Sequence, residues 1–289
     1  MQKVLLFLLA LGSSAAHSAG AQQLAGTITD ARTGQGLPFV NIGVVGKSLG
    51  TVSDEQGAYR LGFSEALAAD TVRISSLGYQ PRRLPLRELR AQPSQALAPA
   101  AVGLAEVQVQ ASNPLRRART LGFTKNEGAS TVNFNSSKDY GAELGTRIQL
   151  RHHPTLVQRA TFNIAHNQAG QMTFRVNLYR LTPDGQPTNE KLLTRNVLVT
   201  TDLSAGPLTV DLSADRLVLS EDFLLALEWV RGSDAAHLRE SLAFAGGVGY
   251  ADNDVYIRAT SQAAWERIAM GAVLAGMQFK VAFYVTGKD

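Results

Sequence analysis

From residue 26 to residue 61 the chain reads GTITDARTGQGLPFVNIGVVGKSLGTVSDEQGAYRL, short apolar-alternating runs cut by Thr-Gly, Gly-Gln-Gly and Glu-Gln-Gly. Val40, Ile42 and Val44 alternate with Asn41, Gly43 and Val45, the two-residue period of a strand in a sheet with one buried face. Residues 30–36 carry the Asx and glycine chemistry of a tight connection, and Asp54-Glu55-Gln56-Gly57 closes another short strand before residues 58–61. Turns this closely spaced leave no room for a helix. A small β-sandwich is expected.

From residue 128 onward the runs lengthen. Strands are expected over 131–135, 143–151, 156–166, 172–181, 191–201, 208–212, 223–230, 241–245, 255–259 and 277–285. Phe174, Val176 and Leu178 alternate with Arg175, Asn177 and Tyr179, and Phe279, Val281, Phe283 and Val285 alternate with Lys280, Ala282 and Tyr284. Both segments read as half-buried antiparallel strands. Roughly ten strands at this spacing predict a two-sheet sandwich of jelly-roll type. Between the two regions, Asn113-Pro114 and the basic Arg116-Arg117-Ala118-Arg119 break the alternation. That stretch reads as a linker whose arginines are solvated or, in the other reading, touch anionic head groups. The expected organisation is all-β: a first sandwich over 22–111, a linker over 112–127 and a larger jelly-roll-like antiparallel β-sandwich over 128–289.

The first region carries linked motifs. Gly26-x-Ile28-x-Asp30-x-x-Thr33-Gly34 leads, Gly50-Thr51-x-Ser53-Asp54-x-x-Gly57-x-Tyr59 follows, and Val72-Arg73-Ile74-Ser75-Ser76-Leu77-Gly78-Tyr79 comes third. In this combination, residues 23–111 resemble the carboxypeptidase regulatory-like (transthyretin-like) domain family, in the version common in Bacteroidetes envelope proteins. The resemblance implies a seven-stranded transthyretin-like β-sandwich that is not itself catalytic and that in relatives precedes outer-membrane receptor barrels or other β modules. A receptor barrel would need many more lipid-facing strands than remain here. In the second region, Phe174-Arg175-Val176-Asn177-Leu178-Tyr179, Leu227-Glu228-Trp229 and Ser261-Gln262 with Trp265 are similar to an uncharacterised module found behind that domain in the same bacteria. That similarity implies no chemistry.

Residues 1–21 have the order of a secretory signal peptide: positive Lys3, an apolar run over 4–11 and a small-x-small site at Ala19-Gly20-Ala21. The run is too short to span a membrane. Export is expected, to the periplasm or the outer membrane, with secretion as the further outcome; the chain ends directly after its last strand, which favours the periplasm. Cysteine is absent, so disulfides, thiolate metal sites and a lipid-anchored cysteine are excluded. A formal net charge of +4 says little about nucleic acid, and no nucleic-acid partner is expected.

His237-Leu238-Arg239-Glu240 spells the H-x-x-E pair of zinc carboxypeptidases, but no histidine follows to complete the site, and no zinc enzyme is expected. Adjacent His152 and His153 would face opposite sides of a strand. No G-x-S-x-G, Walker-type or dinucleotide-binding glycine motif in a fitting context is present. Glu143, Glu228 and Asp254 could serve a glycosidase only if two of them lay about 5 to 9 Å apart in a cleft. Trp229 is expected in the core. Trp265, beside Gln262, Glu266 and Arg267, reads either as a sugar-stacking platform or as a plug over an open sandwich end. With Tyr250, Asp252 and Asp254 it forms the candidate ligand edge. Asp252-Asn253-Asp254 could fill part of a Ca²⁺ shell, the one cofactor considered, or could cap its own turn. The function expected is a non-catalytic envelope protein that binds or organises an envelope protein or a glycan, with glycan binding as the alternative and a hydrolase as the third class.

Overall fold

The computed structural model describes residues 22–100, 117–125, 131–133, 140–150, 154–232, 242–250, 254–268 and 278–289. The signal-like segment, His152, His153 and the His237/Glu240 pair lie outside the described residues.

Among the described residues, the first region forms seven strands: β1 (Gln22–Asp30), β2 (Asn41–Val44), β3 (Gly50–Val52), β4 (Ala58–Phe63), β5 (Thr71–Ser75), β6 (Arg82–Pro85) and β7 (Gln95–Leu97). A short helix, α1 (Leu86–Ala91), precedes the last. They form two sheets, β4-β1-β7 and β3-β2-β5-β6, as the family resemblance implies. Ile28, Val40, Ile42, Leu61, Val72 and Ile74 fill the space between them. The motif residues act locally. Asp54 Oδ1 accepts the amides of Gln56 and Ala58 at 2.9 and 2.8 Å, which sets the turn into β4. Asp30 accepts the amides of Arg32 and Thr33, and its other oxygen accepts the Tyr79 hydroxyl at 2.9 Å, tying the first turn to the loop after β5.

The second region forms β8 (Ala118–Gly122), β9 (Thr131–Asn133), β10 (Glu143–Ile148), β11 (Thr155–Asn167), β12 (Met172–Leu181), β13 (Pro187–Lys191), β14 (Val197–Thr201) and β15 (Gly206–Asp211). It continues with β16 (Leu217–Leu219), β17 (Phe223–Gly232), β18 (Leu242–Tyr250), β19 (Val255–Arg258), β20 (Glu266–Arg267), β21 (Gln278–Val281) and β22 (Phe283–Lys288). One sheet runs β13-β12-β17-β10-β19-β20 and the other β21-β18-β11-β22-β8, all antiparallel, so the all-β, jelly-roll-like sandwich stands. Phe162, Phe244 and Phe283 interlock edge to face between the sheets, with centroids 4.7 and 5.0 Å apart.

Four expectations shift. Residues 118–122, expected within the linker, are β8, paired with β22; Leu121 enters the core, and Arg119 bonds Asp289 at 2.8 Å. The basic cluster hid an edge strand whose alternate residues suit a sheet. The single strand expected over 191–201 is two, β13 and β14, with Lys191 opposite Tyr179, and that expected over 277–285 is also two, β21 and β22. β12 is not half-buried: Arg175, Asn177 and Tyr179 are buried along with Phe174, Val176 and Leu178, because the outer face of this sheet is covered too.

Part of the cover is the first domain. Gly43 and Gly50 are cross-strand partners on β2 and β3 and leave a patch without side chains. The loop after β19 packs there: a Cβ on Gly43 would meet Gln262 Cγ at 2.8 Å, and one on Gly50 would meet Thr260 Cγ2 at 2.8 Å. The Gly46 amide donates to the Gln262 carbonyl at 3.0 Å. Phe39, left-handed at φ 55°, offers its carbonyl to the Arg175 guanidinium. Gly43→Ala should therefore cost about 1–3 kcal/mol by overpacking the contact. In a Gln262→Ala background most of that cost should vanish; equal costs in both backgrounds, measured by urea unfolding, would place the strain elsewhere.

Candidate functional site

On the covered face, strand register sets charges against one another. Glu143 on β10 lies opposite Glu228 on β17 and, on its other side, Arg258 on β19; Arg175 on β12 lies opposite Glu228. Arg258 donates to Glu143 Oε1 at 2.6 and 3.0 Å, and Arg175 Nη1 spans both Glu228 oxygens at 3.1 and 3.0 Å. Asn177 Nδ2 sits between the carboxylates, 3.2 Å from Glu143 and 2.9 Å from Glu228. The Tyr179 hydroxyl donates to Glu143 at 2.8 Å and accepts from Arg258 at 2.8 Å. Arg258 also donates to Asn189 Oδ1 at 2.6 Å and stacks on the Trp265 ring at 4.1 Å.

Each charge here has lost its water, and only the pairing offsets that loss. Burial alone would push the Glu228 carboxyl up, but Arg175 and Lys191 outweigh it and hold the group below its ordinary value. Burial opposes the charge on Arg258 as well, yet Glu143 and Tyr179 raise its pKa. Burial, with Glu143 beside it, pushes the Tyr179 phenol well up. Lys191 goes the other way. Burial lowers it more than Glu228 pulls it up, Arg175 partly cancels that pull, and the group is brought down to about 8.

Next to this network the two domains enclose a cleft of about 290 Å³. The first domain contributes Asn41 and Arg73 together with Ser75, Ser76, Leu77, Gly78 and Tyr79 of the third motif; the second contributes Arg175, Tyr179, Asn189, Lys191, Asn196, Arg258, Ser261 and Gln262. Among the described residues, the lining holds four cationic side chains and no carboxylate. The paired carboxylates lie behind it, sealed by their arginines, so neither is placed to act as a general acid or nucleophile on a molecule in the cleft.

The candidate residues read from the sequence separate. Gln262 is buried at the domain contact and lines the cleft. Trp265 is half-buried, its ring edge-on to Tyr179 at 5.6 Å and its indole N–H donating to the Thr188 carbonyl at 3.3 Å. Tyr250 ends β18 in the other sheet and packs edge-on to Phe123 at 5.0 Å. The Asp254 carbonyl accepts the Arg147 amide at 3.0 Å. Asp252 and Asn253 lie outside the described residues. Among the described residues, no group of three or more His, Cys, Asp or Glu side chains is arranged to hold a metal ion. Trp229 is in the core. Arg73, Arg175, Tyr179, Lys191 and Arg258 were missed. One signal was present: Leu224, Ala226 and Glu228 on the outward positions of β17 mark a strand covered on both faces.

Residues 24–109 match the family model described as CarboxypepD_reg-like domain, which makes the first domain a carboxypeptidase regulatory-like domain. No curated protein matches the chain in sequence. Among solved structures, the chain is similar to the cysteine protease and lectin-like domains of Cwp84, a surface layer associated protein of Clostridium difficile, at 13% identity and a TM-score of 0.42, over 61% of this chain and 37% of that one. A clostridial Cwp84 structure after propeptide cleavage gives 14% identity and a TM-score of 0.41, over 61% and 41%. The VP2 subviral particle of infectious bursal disease virus gives 13% and 0.29, over 92% and 63%. The chain thus spans less than half the length of the two clostridial chains it matches.

Arg258→Met strands the Glu143 carboxylate in a dry site and should cost about 3–5 kcal/mol. Adding Glu143→Gln should return much of it; additive losses in urea unfolding would show that the two charges do not support each other. Lys191 titrates in the opposite sense. Its folded pKa lies below its unfolded one, so the unfolded chain binds the extra proton between pH about 8 and about 10.5, and stability gains a rising contribution across that window. Thermal unfolding of the wild type and Lys191→Met should converge as pH rises through it. A constant gap between the two would show that Lys191 is not held low.

Proposed function

We propose that this protein is an exported, non-catalytic binding protein of the cell envelope, and that it holds its ligand in the cleft between its two domains. The observation that carries the reading is the shared wall: a polar cavity built by the third motif of the regulatory-like domain and by the covered face of the second sandwich. Export rests on the charge, apolar run and small-x-small order of residues 1–21. The absence of catalysis rests on the two buried glutamates being neutralised by arginines, and on a first domain of regulatory-like type.

The volume lies at the small end of ligand sites and suits one sugar ring or the end of a chain better than a protein face. Amides and hydroxyls of Asn41, Ser75, Asn189, Asn196 and Ser261 favour a hydroxyl-rich molecule, so a glycan is the ligand the lining fits best. Trp265 contributes by holding Arg258 and Tyr179 in place from behind, as a plug. Ser76→Trp would fill the cleft from a half-buried loop position. Glycan-array and envelope-extract binding by the full chain should disappear in that variant with its thermal midpoint unchanged. Retained binding would move the site off the cleft.

A further inference from the structure

Arg73 and Lys191 approach the cleft from different domains. Arg258 and Arg175 are engaged by Glu143 and Glu228, whereas neither Arg73 nor Lys191 forms an ion pair with a described carboxylate. The side-chain hydrogen bond of Arg73 runs from Nη1 to the Ser75 hydroxyl at 3.0 Å. Lys191 lies against the Tyr179 ring, its Nζ 5.8 Å from the centroid. Burial lowers the pKa of Arg73, and neighbouring Arg83 adds to the effect. Two partly desolvated cations on one small cavity repel each other, and an anion between them offsets both penalties.

A second observation is independent of charge. Among the described residues, Arg175 Nε and Asn41 Oδ1 are buried without a hydrogen-bond partner, and both residues line the same cleft while only 2% and 6% exposed. One lacks an acceptor, the other a donor. A ligand carrying an oxyanion together with hydroxyl groups presents both kinds of atom.

We infer that the interdomain cleft binds the carboxylate or phosphate of a small hydroxyl-bearing molecule, held between Arg73 and Lys191 across the domain boundary. This rests on the cleft being the ligand site and adds the chemical class. Arginine suits a planar or tetrahedral oxyanion by forked donation, and lysine supplies a compact counter-charge opposite.

The test is calorimetric titration of the full chain with galacturonate, galactose 6-phosphate and galactose. The charged probe of the correct source should bind and raise the thermal midpoint, and neutral galactose should bind at least about tenfold more weakly. Whichever charged probe binds tells carboxylate from phosphate. Arg73→Gln and Lys191→Gln should each weaken it about tenfold or more, while Lys191→Arg keeps it. In the wild type, binding should fall as pH rises past about 8, where Lys191, with Glu143, Glu228, Arg175, Arg258 and Tyr179 around it, loses its proton to solvent; in Lys191→Arg it should not. If neither charged probe binds, or both Gln variants bind as the wild type does, the inference is overturned. Galactose binding as tightly as the charged probes, yet lost in Ser76→Trp, would overturn the anion and keep the cleft.

Discussion

The double pairing of Glu143 with Arg258 and Glu228 with Arg175 is the constraint on which the rest of the molecule depends. A sheet in a sandwich usually buries one face and wets the other. Here the outer face is dry as well, and it is dry while carrying full charges. Without mutual neutralisation and the bridging amide of Asn177, covering it would be prohibitively unfavourable. With them, the first domain and the loop after β19 can settle on the sheet, and the cleft appears where the cover is incomplete.

The first sandwich was legible because its information is local. Asp30, Asp54 and the glycines that follow them specify turns through bonds within a few residues, and the strands between have no other way to run. The covered face was not legible for the opposite reason. Alternation on β12 tells which residues share a side, but Arg175, Asn177 and Tyr179 look like solvent-facing residues until the register brings Glu143, Glu228 and Arg258 against them from distant parts of the chain. Gly43 and Gly50 carried a readable clue, since glycine within a strand often marks the close approach of another backbone or side chain. β8 is not legible in the sequence because a run of arginines resembles a solvated tether until the last strand supplies an edge.

The site follows from the way the domains meet. The third motif, which helps identify the regulatory-like domain, also supplies Arg73, Ser75, Ser76 and Tyr79 to the cleft wall. The same residues thus shape a fold element and a cleft wall. Tyr79 links both roles, since its hydroxyl holds Asp30 while its residue lines the cavity.

The left-handed backbone at Phe39 has a mechanical corollary. Its carbonyl is an anchor for Arg175, and a non-glycine residue keeps that conformation only while its surroundings hold it. Those surroundings lie in its own domain: the Phe39 amide donates to the carbonyls of Ser53 at 3.1 Å and Asp54 at 3.4 Å. One left-handed residue in the first domain thus serves as a locating pin, presenting a carbonyl at a fixed place for a guanidinium of the second.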